Sequence, residues 1–210
     1  METKFFLILD LQQLKIRKIL PMTDSHKLIE QTQSSEEIFN GRLLHVFLDH
    51  VRLPDGSTST REWIKHPGAS AVVPVFENGD VMLVRQFRYP VSQIFHEVPA
   101  GKIDPDENAD TTAERELNEE AGLVCQQFQY IGHFYPGIGY SDEIIHIYAA
   151  WDIEAFDQQV DDDEFLLKER LPFKEAIEMV HSGEISDGKT MVSLLRTWHW
   201  WQKEGPFSIQ

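Results

Sequence analysis

Glu116, Glu119 and Glu120 crowd three carboxylates into five consecutive positions. On a helix Glu116 and Glu120 lie one turn apart on the same face, where like charges repel. Solvent, a basic partner or a metal cation must offset that repulsion. Two converging carboxylates, joined by backbone carbonyls from a nearby loop, make a hard oxygen site suited to Mg²⁺ or Mn²⁺. A solvated acidic face is the competing reading, as it is for any charge run. Arg115, four residues before Glu119, can hold that carboxylate while the other two point together. The run Asp104-x-Asp106-x-Asn108 imitates the start of a calcium loop. The imitation fails at Ala109, where the turn needs Gly, and at Arg115, where a bidentate Glu belongs.

The carboxylates need a helix, and the surrounding sequence supplies one. Ala113, Leu117 and Ala121 recur at helical spacing as one apolar stripe, and Gly122 stands where a helix C-terminus takes a left-handed residue. Before it, "RLLHVFLDHVRLPDGSTSTREWIKH" predicts a strand, a turn at Pro54-Asp55-Gly56 and a second strand running to His66. "ASAVVPVFENGDVMLVRQFRY" predicts a second hairpin, with Asn78-Gly79 supplying positive φ angles. The short run "IFHEVPAG" follows. Further strands are expected at 127–134 and 143–152. Two closing helices are expected after them, one started by Pro172 and ended by Gly183, the other capped by Ser186 or Asp187. Strands and helices intersperse without regular alternation, which favours an α/β or α+β sandwich.

Composition narrows the function. The 210 residues allow one full domain with a small accessory element, and an apolar fraction of 41% with 13 Phe is enough for a buried core. Nineteen Lys and Arg against 35 Asp and Glu leave a net charge of −16, which disfavours a nucleic-acid partner. The single cysteine, Cys125, cannot form an internal disulfide and suits a reducing cytoplasm. No apolar run is long enough to span a membrane. "KFFLILDLQQLKIRKIL" near the start is interrupted by Asp10 and lacks a small-residue cleavage site, so it reads as an amphipathic extension. Met22 offers a second start. Residues 1–35 are polar enough after that segment to form a flexible arm, residues 36–67 form a dimerising hairpin element, residues 68–204 form the main domain, and 205–210 are a tail.

The full spacing is Gly101, five residues, Glu107, seven residues, then Arg115-Glu116-Leu117-x-Glu119-Glu120-x-Gly122-Leu123. This resembles the Nudix box of the diphosphate hydrolases at every defined position. "HPGASAVVPV", "LVRQFRYPV", "EVPAGKID" and "YPGIGYSDEIIHIY" are similar to the ADP-ribose pyrophosphatase branch. Pro136 and Gly139 occupy that branch's loop beyond the box, and Ile138 or its neighbours stand where a second Pro is usual. The resemblance implies the Nudix fold, with mixed sheets sandwiched between helices and an N-terminal β-hairpin subdomain.

It also implies roles. Glu116 and Glu120 are the principal metal ligands, the Ala100 carbonyl is a third, and Glu119 orients or bridges to a further ion, with Mg²⁺ as the metal and Mn²⁺ as a substitute. Gly101 lets the loop pass close to the site. Arg115 and Glu107 brace the box. The general base comes from the acidic run "QQVDDDEFLL", with Glu164 as the choice and Asp161, Asp162 and Asp163 as rivals; a solvated loop is the plain alternative. Arg85 and Arg88 suit a diphosphate or terminal ribose. Arg61 and Trp63 resemble residues that act on a partner subunit's substrate, though a surface ion pair and interface packing also explain them. Glu97 binds substrate or serves in the site wall. Gly139 lies in the substrate loop. His96, His133 and His146 read as structural. The implied activity is cleavage of ADP-ribose to AMP and ribose 5-phosphate by a homodimer. The alternatives are another nucleoside diphosphate sugar such as GDP-mannose, or a non-catalytic ligand sensor, which the intact box disfavours.

Overall fold

A computed structural model describes residues 27–156 and 165–209. Contacts divide the chain into two units, one of residues up to Ile38 with Phe47–Glu62, the other of Phe39–Val46 with Trp63 onward. The first is built on a three-stranded sheet in the order β1 (Gln31–Asn40), β2 (His45–Arg52), β3 (Thr58–Lys65). The polar stretch expected to remain a flexible arm to residue 35 is therefore a strand from Gln31. Its side chains are exposed throughout, so pairing along the backbone rather than burial defines it. Leu43 and Leu44, expected on a strand, lie between β1 and β2.

In the second unit, β4 (Ala69–Pro74) leads to β5 (Asp80–Arg88), a single turn of 3₁₀ helix at Tyr89–Val91, β6 (Gln93–Glu97) and β7 (Ala100–Lys102). Helix α1 (Ala109–Ala121) follows, then β8 (Leu123–Phe134), β9 (Ile145–Ala155), β10 (Leu167–Pro172), α2 (Phe173–Ser182) and α3 (Gly188–Glu204). Among the described residues no helix is long and apolar enough to cross a membrane.

Strands β4 and β5 do not form the expected continuous hairpin. They are linked at the turn by a bridge between Val75 and Val81, then diverge into separate sheets of order β7-β4-β9-β8 and β10-β5-β6. Strand β4 runs parallel to β9 and antiparallel to β7. Gly79 has the positive φ the turn needs, whereas Asn78 does not.

All six residues of β4 are buried, because both of its faces are covered. Ala69, Ala71 and Val73 meet a core with Leu83, Phe173, Ile185, Leu194 and Trp201. Val72 points the other way, into a core with Ala113, Leu117, Ala121 and Tyr148. The sheet is thus a central layer whose opposite faces carry α3 and α1. This is the mixed sandwich expected from the sequence. Asn108 caps α1 by accepting from the Asp110 and Thr111 N–H groups, and Gly122 ends it in the left-handed region at φ 65°.

Candidate active site

Two neighbouring stripes of α1 do different work. Ala113, Leu117 and Ala121 fasten the helix to the sheet, and Thr112, Glu116 and Glu120, also buried, lie beside them. Burying the apolar stripe therefore carries two carboxylates inward, leaving Glu116 7% and Glu120 4% exposed. Such burial is costly without compensation. Glu120 Oε2 accepts the Ala100 N–H at 2.8 Å, and Glu116 Oε1 accepts from Arg115 Nη1 at 2.7 Å. The Glu116 carboxylate lies where a Cβ on Gly101 would be, so only glycine allows β7 to pass this close.

Arg115 binds more than Glu119. Its Nη1 donates to Glu119 Oε2 at 2.8 Å as well as to Glu116, and its Nε and Nη2 reach Glu107 at 2.9 and 3.0 Å. The expected hold of Arg115 on Glu119 is present, and the same Nη1 also takes Glu116. Glu107 Oε2 also accepts the Thr112 hydroxyl at 2.8 Å. Hydrogen bonds from Arg115, then from Thr112, hold the Glu107 carboxyl down to about 2. The same network raises the Arg115 guanidinium further above its ordinary value, Glu107 first, with burial opposing.

Beside Gly101 and Glu120 opens a cleft of about 780 Å³. Gln86 and Arg88 line it, and Arg85 does not, because successive residues of a strand point to opposite faces. Arg88 donates from Nε and Nη2 to Glu97 at 2.7 and 2.6 Å, a bidentate pair on a carboxylate only 3% exposed. Burial raises the Glu97 carboxyl, but the Arg88 bonds and the charges of Lys189 and Arg88 outweigh it, and the net position is below the usual range. Asp187 behaves likewise: burial pushes it up, and Lys189 and Thr190 bring it below its ordinary value. Asp187 and Lys189 line the cleft too. Sequence reading gave Asp187 only a capping role and missed Lys189. A cation in the first turn of a helix, against the dipole, was the available signal.

Tyr135 and Pro136 also line the cleft. The loop after them is tied to the end of β3, where the Ile64 N–H donates to Tyr140 O at 2.8 Å and the His66 N–H donates to Asp142 Oδ1 at 2.7 Å. Gly139 lies in that loop with open space around its α-carbon. Trp63 is half-buried on β3. Arg61, on the same strand, pairs with Glu30 at 2.5 Å. His96 pairs with Glu169 at 3.0 Å, and His133 and His146 both approach the Tyr130 hydroxyl, at 3.0 and 3.4 Å. Glu164 and its rivals Asp161, Asp162 and Asp163 lie outside the described residues.

The donor set suits a hard cation: carboxylate oxygens, two of them buried, with a glycine leaving room above one. Among the described residues no three Asp, Glu, His or Cys side chains already surround one point, so the acidic groups are gathered by the helix rather than fixed in a closed cage.

A family model described as "NUDIX domain" matches residues 65–203, and one described as "Nucleoside diphosphate sugar hydrolase N-terminal domain" matches residues 30–64. An ADP-ribose pyrophosphatase of Bacillus subtilis (strain 168) is 37% identical over 79% of this chain and 90% of its own length. A methanol dehydrogenase activator of Bacillus methanolicus matches with the same identity and coverage. A GDP-mannose pyrophosphatase of Yersinia enterocolitica is 34% identical over 68% of this chain and 81% of its own. A solved structure titled as an ADP compounds hydrolase superposes with TM-score 0.75 over 85% of this chain and 97% of that one, at 20% identity, which speaks to the fold.

Proposed function

Because the chain belongs to the Nudix family, we propose that it is a divalent-metal-dependent hydrolase of nucleoside diphosphate sugars that cleaves ADP-ribose to AMP and ribose 5-phosphate. The observation that carries this reading is the burial of Glu116 and Glu120 against Ala100 and Gly101 at the edge of a cleft lined by Arg88. The resemblance to an ADP-ribose pyrophosphatase along most of both chains supports the choice of sugar. GDP-mannose is the second reading, favoured by the relative that carries that name.

Glu116, Glu119, Glu120 and the Ala100 carbonyl would hold the cation, Mg²⁺ with Mn²⁺ as a substitute. Such a cation would supply neutralisation of the diphosphate oxygens and a lowered pKa for the attacking water. Arg115 keeps the acidic side chains together before loading and brace-bonds the box through Glu107. Water adds to one phosphorus as the bridging P–O bond breaks, and the bridging oxygen leaves with the other phosphate. Glu164 takes the water's proton. Arg88 binds the diphosphate or the terminal ribose, with Glu97 behind it as part of the wall. Arg85, on the other face of β5, is left a structural place. Gly139 belongs to the loop that serves substrate binding.

The protein works as a homodimer in a reducing cytoplasm, with no nucleic-acid or membrane partner. Large apolar side chains left open at Ile38, Phe39, Leu43 and Leu44 support the dimer, in which Arg61 and Trp63 serve the neighbour's substrate. Burial pushes the Cys125 thiol up to about 11, so it stays protonated and plays no part. Turnover of a nucleotide-sugar panel with Mg²⁺ or Mn²⁺, with products identified, tests the reading. AMP and ribose 5-phosphate support it, and preferential GDP-mannose cleavage selects the second reading.

A further inference from the structure

Lys189 stands in the first turn of α3, where a cation opposes the helix dipole. Its side chain is 14% exposed and lines the cleft. Nζ has three acceptors within reach: Glu97 Oε2 at 3.1 Å, Asp187 Oδ2 at 3.3 Å and Val98 O at 3.3 Å. Nζ donates a hydrogen bond to the Val98 carbonyl and lies at ion-pair distance from both carboxylates, so Lys189 is tied to the cleft wall and acts through these neighbours.

Glu97 Oε2 is shared between Lys189 Nζ and Arg88 Nη2, while Oε1 takes Arg88 Nε. The charges alternate along the cleft floor in the order Asp187, Lys189, Glu97, Arg88, and sum to zero. Arg88 keeps its Nη1 group outside the Glu97 pair. The same turn of α3 grips the main chain: the Val98 N–H donates to Thr190 Oγ1 at 3.0 Å, and Thr190 Oγ1 donates to Asp187 Oδ2 at 2.6 Å. Two residues further on, the Ala100 N–H meets Glu120.

From this geometry we infer that Lys189 is a positioning residue for substrate binding, fixing the Glu97 carboxylate so that Arg88 is presented to the phosphate groups of the nucleotide. The inference rests on the reading of the cleft as the substrate site. An uncharged side chain at this position would leave the floor with one net negative charge beside an anionic ligand and strip a buried carboxylate of one partner. Binding should weaken before chemistry does.

The test is a double-mutant cycle between Lys189→Met and Arg88→Ala, read by KM and kcat on whichever panel member the wild type hydrolyses. An error in the assigned sugar then changes the panel result and not the ratio. Lys189→Met should raise KM about tenfold or more with kcat within about threefold, and should add less than about twofold once Arg88 is gone. Lys189→Arg, which keeps the charge, should hold KM within about threefold of wild type. Calorimetric binding of ADP without metal reads the same cycle independently of turnover. If Lys189→Met does not fold, Lys189→Gln carries the cycle. Equal effects of the Lys189 change in the two backgrounds, a fall in kcat with KM unchanged, or absence of ADP binding by the wild type would overturn the inference.

Discussion

The Glu116 carboxylate occupies the space that a Cβ on Gly101 would need. A strand and a helix are thereby locked together at the point where acidic groups and cleft meet. The contact depends on size and not on backbone strain, because Gly101 does not have a positive φ. Gly101→Ala should displace Glu116 while leaving both cores untouched. Kcat should fall by about 100-fold or more, with a stability loss of about 1–3 kcal/mol typical of overpacking. Activity assays beside thermal melts check this, and near-normal kcat would show that Glu116 need not sit there.

Glu116→Gln and Glu120→Gln remove charge from the proposed metal site without removing volume. Each should lower kcat by about three orders of magnitude or more while the melting transition stays cooperative. Glu119→Gln should be damaging but milder, since the Glu119 side chain is more exposed than that of Glu116. Direct Mn²⁺ titration of the folded variants should show weakened binding in step with the lost activity.

Acid should weaken the box through Glu107. Its folded carboxyl lies at about 2 against an ordinary 4.5, so the stabilisation is fully present above 4.5 and is lost as pH falls towards 2. Melting temperatures between pH 5 and 2 should therefore fall less steeply for Glu107→Gln than for the wild type. Equal slopes would contradict the Arg115–Glu107 pairing as an energetic link.

Glu164→Gln should reduce kcat with little change in KM, as expected for a group that acts on the attacking water. A silent Glu164→Gln beside an inactive Asp162→Asn or Asp163→Asn would move the base within the acidic run.

The proposed dimer predicts composite sites. Light scattering should give twice the chain mass, and mixing Trp63→Ala with Glu120→Gln chains should restore activity above either parent. A fully active monomer at assay concentration would refute the assembly.

Local signals made α1 legible in the sequence: the Ala113/Leu117/Ala121 stripe, the close acidic spacing and Gly122 were all visible within one short stretch. The closing helices were legible for the same reason, since Pro172, Gly183 and Asp187 act on adjacent backbone. What escaped depends on partners far along the chain. Lys189 meets the Val98 carbonyl across 91 residues, and no periodicity in either segment announces the pair. The parting of β4 and β5 into two sheets is likewise decided by β9 and β10, which claim one strand each. Strand β1 was missed because its exposed polar side chains carry no alternating apolar pattern.

The role proposed for the buried carboxylates of α1 is metal-dependent hydrolysis of a nucleoside diphosphate sugar. The most direct measurement is product analysis after incubating the folded protein with ADP-ribose and Mg²⁺, beside the same reaction with excess chelator. The expected result is AMP and ribose 5-phosphate in equal amounts with Mg²⁺ and neither product with chelator. Undiminished cleavage in chelator, or no cleavage of ADP-ribose, GDP-mannose or any other nucleoside diphosphate sugar with Mg²⁺ or Mn²⁺, would contradict it.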